Sequence, residues 1–112
     1  MNRIETTLLE MGVPANLLGF KYLHDAIQLV LDNPSCLYSV TDELYPGVAK
    51  LNSTTSTGAE RGIRHSVEVA FVRIDTETIH KYFGNSISPD KGKPTNSEFI
   101  AAATLALKEC GT

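Results

Sequence analysis

Cysteine is scarce in this chain. Two occur in 112 residues, Cys36 and Cys110, far apart and in no CxxC pair. That argues against a disulfide framework and a paired-thiol metal site, and fits reduced thiols in a cytoplasmic protein. Long apolar runs are absent too: none approaches the roughly 18 residues of a membrane span. The N-terminal MNRIETTLLEMG lacks the basic-then-apolar layout of a secretory signal. No segment sustains a period-two alternation, so strands are not expected. His24 and His80 have no ligand-spaced partners, and no metal site is expected. KGKPT lacks the leading glycine spacing of a phosphate loop. Paired carboxylates and an activated nucleophile are missing as well, so neither an enzyme nor a cofactor is expected. Aromatic residues sit at core spacing, not clustered as stacking platforms for single strands.

Positive charge is also in short supply. The formal net charge is −3 and the pI is about 5.5. Phosphate neutralisation supplies much of the affinity of most DNA-binding domains, so an acidic balance weighs against a broad nucleic-acid surface. The charge is unevenly distributed, however. Residues 1–48 carry two basic groups, Arg3 and Lys21, against six acids. Residues 49–112 carry eight basic groups against seven acids. Any surface facing DNA must therefore be local and lie in the second half. Weak monomer affinity, helped by a second copy on adjacent DNA, is expected.

What the chain does have is helical periodicity from end to end. Ile4, Leu8 and Met11 mark a helix over residues 3–11, stopped by Gly12 and Pro14. Leu23, Ala26, Ile27, Val30 and Leu31 mark a stronger one over 15–32, ended by Asn33-Pro34. Ser35 is placed to cap a helix presenting Leu37, Val40 and Leu44. Pro46 suits the first turn of a short helix that buries Val48, Ala49 and Leu51. After the polar turn Asn52 to Thr55, in which a threonine can cap, a long helix is predicted from Ser56 to Ile74. Asp75 or Thr76 caps a short helix with Ile79, Tyr82 and Phe83 inside, closed by Gly84. Residues 85–94 read as a loop. Thr95-Asn96-Ser97-Glu98 is a capping box before a last helix buried through Phe99, Ile100, Ala103 and Leu107. The expectation is an all-α, six-helix single domain over 1–112, with no repeat or linker.

The long helix sorts its residues onto two faces. Ala59, Ile63, Val67 and Ala70 recur at core spacing. Glu60, Arg61, Arg64, His65 and Glu68 fall together on the other side. Long donor side chains on the outside of a rigid helix are what reading base edges in the major groove requires. With the short helix YPGVAKLN before it, the segment reads as a helix-turn-helix. The bland reading is a solvated face, with Glu60–Arg64 and Arg61–Glu68 as ordinary surface ion pairs.

Three runs, MGVPANLLGFKYLHDAI, LYPGVAKLNSTTSTGAERGIRHSVEVAF and GKPTNSEFIA, resemble the C-terminal effector domain of the sporulation master response regulators of endospore-forming Firmicutes. The likeness covers Ile4 to Lys108. It implies a six-helix domain with a helix-turn-helix that activates and represses sporulation genes at a TGTCGAA-like box. It also implies two domains in tandem on the DNA, and a receiver domain, not present in this chain, whose phosphorylation licenses dimerisation. By the same likeness Glu60, Arg61, Arg64 and His65 match the recognition helix. Arg61 and Arg64 are the candidates for guanine readout, Glu60 for a cytosine amino group, and His65 for phosphate or sugar. Ser56 and Thr57 at the helix start are candidates for phosphate, and so is Lys93 before the last helix. The surface around Thr76 to Ser88 is implied to meet the sigma subunit of RNA polymerase. Three positions depart from the family pattern: Gly58 replaces arginine, Gly62 replaces alanine, and Ala59 replaces a larger apolar residue. A helix-interior glycine costs roughly 1 kcal/mol relative to alanine. The alternative function is a helical interaction module that docks on polymerase or another regulator without reading DNA.

Overall fold

The structure, a computed structural model, describes residues 2–84 and 92–110. Six α-helices follow in order: α1 (Arg3–Glu10), α2 (Leu18–Asp32), α3 (Tyr45–Leu51), α4 (Ser56–Arg73), α5 (Thr76–Phe83) and α6 (Asn96–Cys110). No strand occurs among the described residues. The predicted loop 85–94 lies outside them except for its last three residues.

Local chemistry sets most of the helix ends. Asn2 caps α1 reciprocally: its side chain accepts from the Glu5 N–H at 2.8 Å, and Glu5 Oε1 accepts from the Asn2 N–H at 2.9 Å. Asp75 accepts from the Thr78 N–H at 2.8 Å to start α5, and Gly84 ends that helix at a φ of +58°. Thr95 and Glu98 form the expected box at α6, with bonds of 2.8 and 3.2 Å. The apolar positions read from the sequence fill the core: Ile63, Ala59 and Ala70 of α4 and Phe99, Ile100 and Ala103 of α6 are all fully buried. Each large side chain sealed in this way contributes about 1.5–3 kcal/mol. Phe83 links α4 to α6, its ring centroid 5.5 Å from Phe71 and 6.0 Å from Phe99.

Three details differ from the sequence reading. α2 begins at Leu18 and not near residue 15, because residues 14–17 close a turn, with the Leu17 N–H donating to the Pro14 carbonyl at 3.3 Å. Ser35 caps no helix; its hydroxyl donates to Asn33 Oδ1 at 2.8 Å. The chain there forms a 3-10 helix, Pro34–Tyr38, and then a π turn, Val40–Leu44, that runs straight into α3. The Tyr45 N–H reaches back five residues to the Val40 carbonyl. A regular α-turn would drive the Pro46 ring into the carbonyl four residues earlier, and the wider turn before it relieves that clash. Leu51, expected inside, is 58% exposed because α3 ends on it at the rim of the following turn.

α2 lies against the inner side of α4 at very short range. A Cβ on Gly19 would fall 2.2 Å from the Gly62 carbonyl oxygen and 2.0 Å from Ser66 Oγ. A Cβ on Gly62 would fall 2.6 Å from the ring of Tyr22, itself buried. The glycine that looked like a lapse in helix propensity is therefore the seat of the α2–α4 crossing. Gly62→Ala gains roughly 1 kcal/mol of intrinsic helix propensity but must displace a packed ring, and overpacking of this kind costs about 1–3 kcal/mol. We expect a net loss of stability for Gly62→Ala and a larger one for Gly19→Ala, which meets backbone. Ser66 Oγ is buried with no hydrogen-bond partner among the described residues, and an unmet buried hydroxyl costs about 1–3 kcal/mol. Ser66→Ala should accordingly raise the urea midpoint. A Gly62→Ala protein more stable than its parent would refute the packing account.

Candidate nucleic-acid interface

The path into α4 is held by a polar network. Asn52 ends α3, and its backbone N–H donates to the Val48 carbonyl at 3.1 Å. Its side-chain amide donates to the same carbonyl at 2.9 Å and to Asp25 Oδ2, on α2, at 2.8 Å. Ser53 follows in the left-handed region at a φ of +52°, and the Thr54 N–H donates back to the Ala49 carbonyl at 3.0 Å. Thr55 Oγ1 then accepts from the Gly58 N–H at 2.9 Å and starts α4. A helix, a four-residue turn and a second helix are thus fixed by these four hydrogen bonds within the motif and one to α2.

Asp25 is the anchor of this turn. Burial pushes its carboxyl up, but hydrogen bonds from His24, Asn52 and Lys21 outweigh burial and hold it below the usual aspartate range. His24 Nδ1 lies 3.1 Å from Asp25 Oδ1, and its Nε2 lies 2.9 Å from the side-chain nitrogen of Asn2. The Nδ1–H tautomer satisfies both contacts, since Asn2 then donates to Nε2.

The outer face of α4 presents the residues singled out from the sequence. Thr57, Arg61, Arg64 and His65 are exposed, and Ser56 and Glu60 are half-buried. Arg61 makes no ion pair among the described residues. Arg64 sits 3.4 Å from Glu60, with its side chain 53% exposed. Of the two surface pairs considered from sequence, this one forms. Glu68 pairs instead with Lys93. The Lys93 ammonium holds the Glu68 carboxyl below the usual range through its hydrogen bond and its charge.

Lys93 is brought to this face by the start of α6. Asn96, buried, donates to the Tyr45 hydroxyl of α3 at 3.0 Å and to the Glu60 carbonyl of α4 at 3.2 Å. Burial raises the Tyr45 phenol, and the Asn96 bond partly offsets it. Between α4 and this segment opens a cleft of about 370 Å³, walled by Glu60, Arg64, Glu68 and Lys93. Sequence reasoning used Asn96 only as part of a capping box. Its role as a strut joining three helices is invisible without the fold. Lys50, exposed in the last turn of α3, the first helix of the helix-turn-helix, was also not singled out.

The departures at Gly58 and Gly62 now separate. A Cβ at position 58 would fall 2.5 Å from Thr54 Oγ1, the end of a side chain that can rotate. Packing therefore demands glycine at 62 but not at 58. Of the surface around Thr76 to Ser88, α5 is described; Thr76, Glu77, His80 and Lys81 are exposed on it. Residues 85–88 lie outside the described residues. Lys81 and Tyr82 bond Glu10 at 2.9 and 3.0 Å, which clips α5 to α1.

Six helices and no strand among the described residues, with a short helix joined by a tight turn to a long one with exposed arginines, define a helix-turn-helix protein. Residues 4–107 match the family described as Sporulation initiation factor Spo0A C terminal, and the chain belongs to that family. It is accordingly a DNA-binding, non-catalytic effector domain of a sporulation response regulator, and the interaction-module alternative gives way. Among the described residues, no group of three or more His, Cys, Asp or Glu side chains could hold a metal ion, and no helix is long and apolar enough to cross a membrane.

The Asp25 anchor has a pH signature. Its folded pKa is depressed, so its contribution is present above the unfolded aspartate value of about 3.9 and is lost as pH falls through the folded value. Asp25→Asn should lower stability at neutral pH, and its gap from the parent should close in acid. A gap that stays constant from pH 7 into the acid limb would rule this out.

Proposed function

We propose that these 112 residues act as one DNA-binding domain that docks α4 in the major groove of a TGTCGAA-like box. The observation that carries this is the sidedness of α4. Its apolar stripe is sealed in the core, while Arg61 and Arg64, one turn apart, are exposed on the other side, Arg64 beside Glu60. Arginine bonds guanine O6 and N7 with two donors, so two arginines so spaced suit a guanine on each strand. Glu60, beside Arg64, accepts from a cytosine amino group. His65 meets phosphate or sugar at the edge of the groove. Ser56 and Thr57, at the amino end of α4, offer hydroxyls and N–H groups to a phosphate, where the helix dipole favours an anion. Lys93 meets a phosphate from the other side of the cleft.

The acidic balance of the chain supports cooperation between copies. A few local cations provide few phosphate contacts, and a second domain in tandem on the same duplex raises the effective affinity of each. The exposed side of α5, on the surface that runs from Thr76 to Ser88, is proposed to meet the sigma subunit of RNA polymerase. The protein acts in the cytoplasm, on the nucleoid.

Arg64→Ala should weaken binding to a box-bearing duplex by roughly 1–3 kcal/mol and relax preference at one base pair. Binding selection from random duplexes, run with parent and variant at one salt concentration, reads both effects. Unchanged affinity and unchanged preference would show that α4 does not dock as proposed.

A further inference from the structure

The proposed DNA face carries its own counterions. Glu68, on α4, and Lys93, before α6, form an ion pair across the mouth of the cleft, with side chains 41% and 51% exposed. About two helical turns before Glu68, Glu60 holds Arg64. The two pairs differ in kind. Glu60 and Arg64 are neighbours on one helix, four residues apart, and such contacts form on many solvated helices. Glu68 and Lys93 are 25 residues apart, and their contact ties a cation outside the helix to the outer face of α4.

We propose that Glu68 is a latch on Lys93: an internal carboxylate that competes with DNA phosphate for this ammonium and so sets how tightly the domain grips any duplex, without setting which sequence it prefers. This rests on the reading that the α4 face meets DNA. For Lys93 to bond a phosphate it must leave Glu68. The carboxylate is then stranded beside a polyanion with its partner gone. That cost is the same on a matching and a non-matching duplex, because phosphates carry no sequence. Glu60 stands in a different position. When Arg64 leaves it for a base, Glu60 keeps a use as acceptor for a cytosine amino group, so its effect depends on sequence. The two acids on one helix face thus divide the work, one reading and one restraining.

A double-mutant cycle tests the latch: parent, Glu68→Gln, Lys93→Ala and the double variant, titrated with a box duplex and a scrambled duplex over a range of KCl, with thermal melts to verify folding. Glu68→Gln should tighten both duplexes by about three- to tenfold, leave their ratio unchanged, and steepen the salt dependence by about 0.9 in log–log slope as Lys93 becomes a full phosphate contact. On the Lys93→Ala background the same change should yield little. An equal gain with and without Lys93 would mean that Glu68 acts only through net charge and would overturn the latch. So would a Glu68→Gln protein with unchanged affinity. A parent protein that fails to distinguish the two duplexes would sink the box reading instead, and coupling between positions 68 and 93 on the scrambled duplex would still decide the latch.

Discussion

The α4 face proposed to meet DNA depends on the near-contact of two helix backbones. Gly19 of α2 meets the Gly62 carbonyl of α4 where no side chain would fit, and Tyr22 lies over the other glycine. Helices approach this closely only where side chains are absent. Close approach in turn lets α2 back α4 along much of its length, from Ser66 to the turn at Asn52. A helix proposed to read base edges needs such a brace, because a base-edge contact tolerates little displacement and, among the described residues, the outer face of α4 meets only the segment around Lys93. α4 gives up intrinsic propensity at Gly62 and leaves a hydroxyl unmet at Ser66. Rigidity of the crossing compensates for both.

The second support is polar. Asp25, Asn52 and the Val48 carbonyl fix the turn, while Asn96, Tyr45 and the Glu60 carbonyl fix the far side. Both networks are partly buried, where hydrogen bonds are electrostatically stronger and an unpaired group is costly. They place the start of α4 and the Lys93 segment relative to one frame. The apolar stripe of α4 decides which face turns inward. The hydrogen bonds add fixed points at the turn before it and at the Glu60 carbonyl.

The sequence displayed the helices wherever periodicity and capping chemistry agreed. α1, α4, α5 and α6 carry an apolar stripe and a side-chain cap or capping box, and their ends were legible to within a residue or two. Legibility failed between Pro34 and Leu44. There the local signals, a serine after Asn-Pro and apolar residues three and four apart, fit an α-helix, but Pro46 downstream forces a wider turn. The outer face of α4 was legible because arginine, histidine and glutamate fall on one side of a strongly periodic helix. The struts were not, because Asn52, Asn96 and Asp25 make contacts across 27 and 36 residues of chain that no spacing rule encodes. Gly62 was visible but misread: on propensity it is a defect, and only the Tyr22 ring shows it to be required.

The acidic balance of the chain then takes on a physical sense. The first half, where the acids are in excess, supplies α1 and α2, of which α2 forms the brace; the second half supplies α4 and eight of the ten basic side chains. On the proposed docking, charge segregated in this way favours approach of a polyanion from the α4 side. On the attracted side, Arg64 and Lys93 are each already held by a carboxylate. A surface whose cations are internally compensated gains little from phosphate alone. Its net attraction grows only when base contacts make up for the ion pairs that must open. On the proposed docking, low intrinsic grip is thus a condition for discrimination: a strongly basic face would bind every duplex, and the few contacts of two arginines would be lost against that background.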